Sequence, residues 1–223
     1  MPLLNKPETC RGCPLFADGR GWVPDRLIEG SKVALVCQNP GQSEEQGQRV
    51  VSYIGGKPVF EPCSHEPLTG ATGFSVRNTW LPKAGLTHDN VSYLNILKCR
   101  WTLHGKRTNK LPKDKSYYQA VRHCMAAHFK VPDSVTTLVA AGDHAFKALG
   151  GAGLKAPDGK PATISSYRGY TLPGVYTEPT RPLDGPVVYC VVHPADLFRS
   201  RDMLLPSRMD WARLGKLLRG EWP

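Results

Sequence analysis

Three polar stretches of this chain each follow a short apolar run and carry residue types that could bind a polar ligand. They cover residues 38–45, 95–100 and 193–199. An asparagine amide offers both a donor and an acceptor of hydrogen bonds, and a neutral histidine ring does the same. Each stretch also has an ordinary interpretation, because Asn-Pro-Gly is a common turn, a His-Pro pair often ends a strand and Asn95 could be a satisfied core amide. Their joint occurrence favours a binding site.

Seven cysteines form a second set of candidates for chemistry. Their number is odd and they are scattered, which is not the pattern of a small domain held together by disulfides. In a reducing compartment such a pattern indicates free thiols or metal ligands. The spacing Cys10-x-x-Cys13 alone is compatible with zinc binding, with redox chemistry and with no special role.

Length and charge limit the class of protein. A chain of 223 residues suits one domain covering 1–223. Lys and Arg outnumber Asp and Glu by 29 to 19, a net charge of +10, which favours a polyanionic partner or a soluble enzyme with a basic surface. No apolar run approaches the roughly 20 residues of a membrane span, and the first six residues do not resemble a secretory signal. We therefore expect a soluble, cytoplasmic protein without a membrane partner, most simply a monomer.

The elements that would position these residues are short. Near-continuous apolar runs predict strands at 32–37, 91–97, 137–141 and 187–192. Helices are predicted at 74–84, 115–129, 144–149 and 207–219, the last opened by Pro206, and loops at 46–73 and 154–185. Strands that alternate with helices predict a single-domain three-layer α/β/α sandwich with a mainly parallel central sheet. Ligands bind beyond the carboxyl ends of such strands, so the three polar stretches should converge on one edge.

In their order, these motifs resemble those of the uracil-DNA glycosylase superfamily, most closely its iron-sulfur family-4 branch. The likeness runs from Cys10 to Trp211. The segments that carry it are Cys10-x-x-Cys13-Pro14-Leu15, Gln38-Asn39-Pro40-Gly41-x-x-Glu44-Glu45, Pro67-Leu68-Thr69-Gly70-Ala71-x-Gly73, Asn95-x-x-Lys98-Cys99-Arg100, Ala140-Ala141-Gly142, Arg168-Gly169 and His193-Pro194-x-x-x-x-Arg199. The resemblance implies an enzyme that binds DNA, flips a base out of the stack and hydrolyses its glycosidic bond.

The resemblance also assigns four cysteines to a [4Fe-4S] cluster: Cys10, Cys13, Cys99 and Cys124. Four thiolates suit such a cluster or tetrahedral zinc, and the likeness favours iron. In this chain 24 residues separate Cys99 from Cys124. This separation is longer than is usual in the family and predicts an extra loop at 101–115. We interpret Cys37 and Cys190 as small apolar residues of buried strands.

The resemblance further implies the roles of the site residues. Asn39 would hold the attacking water, Asn95 would grip the Watson-Crick edge of the flipped base, and His193 would donate a hydrogen bond to the departing base. Phosphate contacts are expected from Lys98, Arg100, Arg168 and Arg199. Leu197 or Phe198 could wedge into the vacated stack.

Four further positions are expected near the base, and they leave its identity open. Gln38 replaces the family-4 glutamate, and Leu68 stands where an aromatic residue usually stacks on uracil, unless Phe60 takes that role. Gly41 has no side chain where the most uracil-strict branch has a tyrosine, although Glu44 could fill that space. Because a flipped amide matches either uracil or cytosine, Asn95 alone does not name the base. Uracil is the leading candidate, and a bulky modified cytosine of phage DNA is the alternative.

Two other classes of function remain open. One branch of the superfamily traps uracil-DNA covalently through a histidine in a basic insertion, which corresponds here to residues 104–112. Asn109 lies where that histidine would be and His104 lies too early, so turnover is favoured over trapping. A non-catalytic iron-sulfur module that only binds DNA is the third class.

Overall fold

The chain forms a mixed α/β fold with a five-stranded, mainly parallel central sheet flanked by helices. This computed structural model describes residues 6–17, 21–103, 106–108, 115–172 and 185–221. Its strands are β1 Val33–Cys37, β2 Gln48–Ile54, β3 Lys57–Pro62, β4 Val91–Asn95, β5 Trp101–Leu103, β6 Lys106–Thr108, β7 Thr137–Ala141, β8 Thr171–Leu172 and β9 Val187–Val191. The central sheet has the order β4-β1-β7-β9-β8. The predicted α/β/α sandwich is confirmed.

The helices are short apart from two. They are α1 Gln42–Glu45, α2 Ala71–Ser75, α3 Leu81–Lys83, α4 Lys115–His128, α5 Asp143–Phe146, α6 Ile164–Tyr167 and α7 Leu204–Leu218. Five-residue π-helical turns follow α2 and α5, at Val76–Trp80 and Lys147–Gly151. None of the helices in the described part of the chain is long and apolar enough to cross a membrane.

All four predicted strands of the sheet are present, each within two residues of its predicted end. β1 pairs with β7 and β7 pairs with β9 in parallel register, and β8 runs antiparallel to β9 at one edge. Side chains on both faces of β1, β4 and β7 are buried. This burial explains why these strands are almost continuously apolar in the sequence.

The described chain divides into two compact units, each made of three separate segments. The first unit contains Met1–Arg26, Gln38–Phe74 and Tyr93–Lys130. The second unit contains Leu27–Cys37, Ser75–Ser92 and Val131–Pro223. The residues predicted to do chemistry are distributed over both units.

The prediction of a loop at 46–73 is wrong, because β2 and β3 form an antiparallel hairpin there. A two-residue turn joins them, with φ of 57° at Gly55 and 77° at Gly56. Positive φ at both central positions is the type I′ geometry that matches strand twist, and glycine adopts it without strain. Most hairpin side chains are exposed, so the sequence lacks the apolar alternation that marks a half-buried strand.

Three other boundaries differ from the predictions. Helix α7 begins at Leu204, with Pro206 inside its first turn, where a proline is tolerated because the first N–H groups have no partner within the helix. The predicted loop at 154–185 contains α6 and β8, and its residues 173–184 lie outside the described part. The predicted loop at 101–115 contains the paired strands β5 and β6.

Candidate functional site

The stretch after β1 lies in the first unit and is tied to the stretch after β4. The Leu97 N–H donates to the Gln38 carbonyl over 3.0 Å. Asn39 is half-buried, and its Nδ2 donates to the Pro40 carbonyl over 2.8 Å. Since this bond uses the amide nitrogen, Oδ1 is the atom of Asn39 suited to accept a hydrogen bond from a water. The water-holding role of Asn39 stays a prediction, with Oδ1 as the atom that would carry it.

Glu44 is a buried carboxyl that joins two parts of the predicted base site. Its Oε2 accepts from the Gly41 N–H over 2.5 Å, and its Oε1 accepts from the Leu68 N–H over 2.6 Å. Burial raises the pKa of Glu44 to about 7, and the hydrogen bonds from Gly41, Leu68 and Thr69, together with the charge of Arg100, oppose the rise. Glu44 thus holds the Asn39 turn against the segment around Leu68.

We expect Glu44 to make folding stability depend on pH. Because its pKa is higher in the folded state than the ordinary 4.5, the folded protein binds this proton more tightly. The stabilisation of the folded state by protonated Glu44 is fully present below about pH 4.5 and is lost as the pH rises through about 7. The free energy of unfolding should fall by about 3 kcal/mol over this range. Chemical denaturation at pH 5 and pH 8 should show this loss in the wild type and not in Glu44→Gln. The exposed Glu61→Gln is the control, and an equal loss in Glu44→Gln and wild type would contradict the assignment.

Leu68 has an unusual backbone conformation. Its φ is +62°, the left-handed region that an L-residue with a large side chain rarely adopts. Its carbonyl lies so close to Gly73 that a Cβ there would be 1.5 Å from the Leu68 oxygen. The Leu68 side chain is buried, whereas Phe60 on the hairpin is 44% exposed. Strain of this kind persists where surrounding contacts enforce it, and it is often found at binding sites.

Asn95 ends β4 and is 1% exposed. Its backbone N–H donates to Asp25 Oδ1 over 3.0 Å, and its carbonyl accepts from Lys98 Nζ over 2.7 Å. Among the described residues its side-chain Nδ2 has no hydrogen-bond partner. Buried donors are nearly always paired, so an unpaired amide that is held at the backbone is suited to bind a ligand.

Lys98 and Arg100 need a correction, because both are buried and paired with carboxylates. Lys98 Nζ lies 2.5 Å from Asp25 Oδ1, and Arg100 Nη1 lies 2.6 Å from Glu45 Oε2. Lys98 is 1% exposed and Arg100 is 8% exposed. Neither presents its cation to a phosphate in this structure, so we assign both to internal ion pairs.

The four cysteines predicted to bind iron, Cys10, Cys13, Cys99 and Cys124, all lie in the first unit. Cys10 and Cys13 are adjacent in a turn, where the Cys13 N–H donates to the Cys10 carbonyl. Cys124 of α4 packs in one hydrophobic cluster with Cys13. The pKa of Cys124 is raised to about 12, mainly by burial and also by the nearby thiols of Cys99 and Cys13, against the opposing effect of Lys98.

The element type of these four side chains suits a thiolate-bound cofactor, but their arrangement in the structure does not show a metal site. The set contains only sulfur donors, and electrostatic contacts link Cys124 to Cys99 and Cys13, and Cys13 to Cys10. Within the described residues, however, no group of three or more Cys, His, Asp or Glu side chains is arranged to hold a metal ion. The His128 Nε2 also lies 3.2 Å from the Cys10 Sγ. The cluster therefore stays a prediction.

His193 lies in the second unit, two residues after the end of β9. Its Nδ1 accepts from the Ala195 N–H over 3.1 Å at the start of a 3₁₀ turn, Pro194–Phe198. Burial lowers the pKa of His193, and the charges of Arg199 and His144 lower it further against the opposing effect of Asp196. The ring is therefore neutral at pH 7 with its proton on Nε2. Such a ring donates a hydrogen bond from Nε2 without carrying a charge.

A glycine makes room for this histidine. Gly142 follows β7 with φ +87°, and a Cβ there would lie 2.8 Å from the His193 Cβ. The Gly142 N–H donates to the Val191 carbonyl at the end of β9 over 2.9 Å. A side chain at position 142 would displace His193, which explains the glycine after the third strand of the sequence pattern.

The structure separates the two candidates for a wedge. Leu197 is 4% exposed and belongs to the core, so the prediction that it could insert into DNA is corrected. Phe198 is 58% exposed. Arg199 is exposed beside it, with Nη2 3.6 Å from Asp196 Oδ1. Phe198 and Arg199 are thus available to a partner.

Arg168 is partly exposed and paired with a buried carboxylate. Its Nη1 lies 2.8 Å and 2.7 Å from the two carboxylate oxygens of Asp210. Burial raises the pKa of Asp210, which the charges of Arg168 and Arg213 oppose. Asp210 holds the Arg168 guanidinium in one orientation at the surface, which is compatible with the predicted phosphate contact.

Five residues in these contacts have no role assigned from the sequence: Asp25, Glu45, Thr69, His128 and Asp210. Glu45 and Thr69 lie within motifs quoted above, and Thr69 resembles Asn95, because its buried Oγ1 has no partner among the described residues. Asp25, His128 and Asp210 lie outside those motifs and carry no spacing signal. The only available clue was that the buried cations of the Lys98-Cys99-Arg100 stretch would each need a carboxylate.

Asn39, Glu44 and Asn95 thus lie in the first unit, and His193 lies in the second. No protein-family model and no curated protein matches this chain.

Proposed function

We propose that this protein is a monofunctional DNA glycosylase that hydrolyses the N-glycosidic bond of a flipped-out pyrimidine, with uracil as the leading substrate. The observation that carries the proposal is the buried amide of Asn95, whose Nδ2 lacks a partner within the described residues while both backbone polar atoms are held. A hydrogen bond from Leu97 to Gln38 ties this stretch to the Asn39 turn. The edge of a bound pyrimidine would accept the hydrogen bond that Asn95 Nδ2 lacks among the described residues.

In the proposed reaction the bond between sugar carbon C1′ and the base nitrogen breaks first, and its electron pair leaves with the base. An amide oxygen is too weak a base to take a proton from water, so Asn39 Oδ1 would orient the water rather than ionise it. The water oxygen then adds to the cationic sugar, and its proton passes to solvent or to the released base. Placement of the water is therefore the contribution that we assign to Asn39.

His193 would stabilise the anion that forms on the base. Its neutral ring carries a proton on Nε2, because Nδ1 accepts from Ala195. Donation from Nε2 to a pyrimidine oxygen strengthens as negative charge develops there, which lowers the barrier without prior protonation of the base. A lowered pKa keeps the ring neutral over a wide pH range.

The identity of the base depends on the segment around Leu68. Glu44 is fully engaged with backbone N–H groups, and Gly41 adds no side chain beside it. The Leu68 side chain offers less stacking surface than an aromatic ring, and exposed Phe60 belongs to the hairpin. These features leave the identity of the base open between uracil, the leading candidate, and the bulky modified cytosine.

The experiment that tests the function is base release. DNAs that carry uracil, hypoxanthine, thymine mismatches and hydroxymethylated or glucosylated cytosine are incubated with the protein, and free bases are measured by mass spectrometry. Release of uracil supports the leading candidate, and release of a modified cytosine alone supports the second. Release of no base from any substrate would sink the proposal.

A denaturing gel separates turnover from covalent trapping. A band of protein with uracil-DNA that survives denaturation would indicate the trapping class. The two residues on which that alternative depends, His104 and Asn109, lie outside the described part of the chain.

We further propose that Cys10, Cys13, Cys99 and Cys124 hold a [4Fe-4S] cluster with a structural role. When bound, the cluster would join the turn at Cys10, the end of the Asn95 stretch and α4 through iron-thiolate bonds. The support is the all-sulfur donor set and the contacts among these thiols.

Purified protein should be brown, absorb at about 400 nm and contain iron rather than zinc. Cys124→Ala should lose the colour and most of the iron, because it removes one of four ligands. Cys190→Ala is the matched control, since Cys190 is equally buried but lies in β9 of the second unit. A colourless wild type that holds one zinc ion would contradict the iron assignment.

A further inference from the structure

The first unit contains a buried ion pair, Lys98 with Asp25, that also contacts neighbouring backbone. Lys98 Nζ contacts both carboxylate oxygens of Asp25, at 2.5 Å and 2.6 Å. Their side chains are 2% and 9% exposed. Burying two charges costs several kcal/mol per ion, so such a pair is weak evidence for a contribution to stability. Its partners therefore point to another purpose.

The pair contacts the backbone of Asn95 on both sides. Asp25 accepts from the Asn95 N–H, and Lys98 donates to the Asn95 carbonyl. These two hydrogen bonds hold the peptide groups on either side of the Asn95 Cα. With both planes held, the Cα–Cβ direction of Asn95 is fixed, and so is the origin of its amide.

Both members of the pair are themselves anchored. The chain is held on both sides of Asp25, since the Val23 N–H donates to the Lys98 carbonyl and Arg26 exchanges two backbone hydrogen bonds with Tyr93 of β4. The Lys98 N–H donates to the Cys124 sulfur on α4, and Lys98 Nζ lies 5.7 Å from the centre of the Phe129 ring. The contacts around Asn95 thus reach a helix and a second extended segment.

We propose that Asp25 and Lys98 are positioning residues that set the angle of the Asn95 amide toward the bound pyrimidine. This inference rests on the proposed function of Asn95. A recognition amide must be held within a fraction of an ångström and about 10–20° of its productive geometry, and the pair supplies this constraint through the backbone. The two residues contribute to selectivity between pyrimidines without touching the base.

Two double variants separate positioning from charge. Asp25→Asn with Lys98→Met removes both charges but keeps an oxygen for the Asn95 N–H, whereas Asp25→Ala with Lys98→Met removes that oxygen as well. Removing both partners avoids an unpaired buried charge, so both variants should fold. We expect kcat/KM for base release from DNA to fall about thirtyfold in the alanine variant and by less in the asparagine variant. Selectivity between uracil and cytosine should fall in the same order.

Two controls make the result specific to positioning. Affinity for abasic DNA should stay within about threefold in both variants, as in Arg49→Met, which removes a different ion pair of the first unit and leaves Glu66 paired with Arg26. Amide hydrogen exchange at the Asn95 N–H should accelerate in the alanine variant, a readout that needs no catalysis. Folded variants with wild-type selectivity and unchanged exchange would overturn the positioning role. Accelerated exchange in a protein whose wild type releases no base would instead leave the backbone constraint standing and refute the proposed function.

Discussion

Replacement of His193 by alanine should slow base release by about 10²- to 10³-fold while DNA affinity is retained. The reason is the tautomer described above: Nδ1 is used by the Ala195 N–H, so Nε2 carries the proton that would be donated to the departing base. Alanine removes this donor and leaves the anion without stabilisation. Single-turnover rates on uracil-DNA, or on whichever substrate the base-release assay identifies, give the measurement.

A second substitution and a control sharpen the test of His193. His193→Gln retains an N–H donor on a shorter side chain and should recover part of the rate. His88→Ala, in the turn before β4, removes a histidine of the same unit and should leave the rate unchanged. Near-wild-type turnover in His193→Ala would refute the assigned role, and lost DNA binding would indicate a structural defect instead.

The second large effect is expected at Asn39. Asn39→Ala removes the oxygen that would orient the attacking water. It also removes the hydrogen bond from the side-chain amide to the Pro40 carbonyl, which fixes the turn. We expect a fall in the single-turnover rate of about 10²-fold or more, with DNA affinity unchanged. Asn39→Asp keeps an acceptor oxygen and should retain more activity than the alanine variant.

Asn78→Ala provides the matched control for Asn39, because Asn78 is an exposed asparagine of the second unit. Its rate should equal that of the wild type. If Asn39→Ala keeps wild-type turnover, the water is held elsewhere, and Thr69, whose buried Oγ1 lacks a partner in the described residues, becomes the residue to test next.

Much of the sheet could be predicted from sequence because its strands are buried on both faces. Continuous apolar runs between polar turns identified β1, β4, β7 and β9, and the alternation of strands with helices predicted the layers. The β2–β3 hairpin was missed because it buries little side-chain surface. Its signal was the Gly55-Gly56 turn, which a count of glycines assigns to a loop.

The candidate site was predictable only for residues that directly end strands. Asn39 comes after β1, Asn95 ends β4 and His193 comes after β9. The order of the strands therefore predicts where these three residues lie. Asp25 and Asp210 could not be found in this way, because tertiary pairing alone brings them to Asn95 and Arg168. Lys98 illustrates the opposite error, since a basic residue beside a site was taken for a phosphate ligand while the fold buries it.

The segments of the two units alternate along the chain, and this order affects folding during synthesis. All three segments of the first unit have been synthesised once Lys130 is made, but β1 then still lacks β7, its parallel neighbour. One edge of β1 would be open at that stage, and open apolar edges promote pairing between nascent chains. Yield in a cell should therefore depend on how quickly residues 131–141 follow, so slow codons placed there would lower it more than slow codons near the carboxyl end of α7.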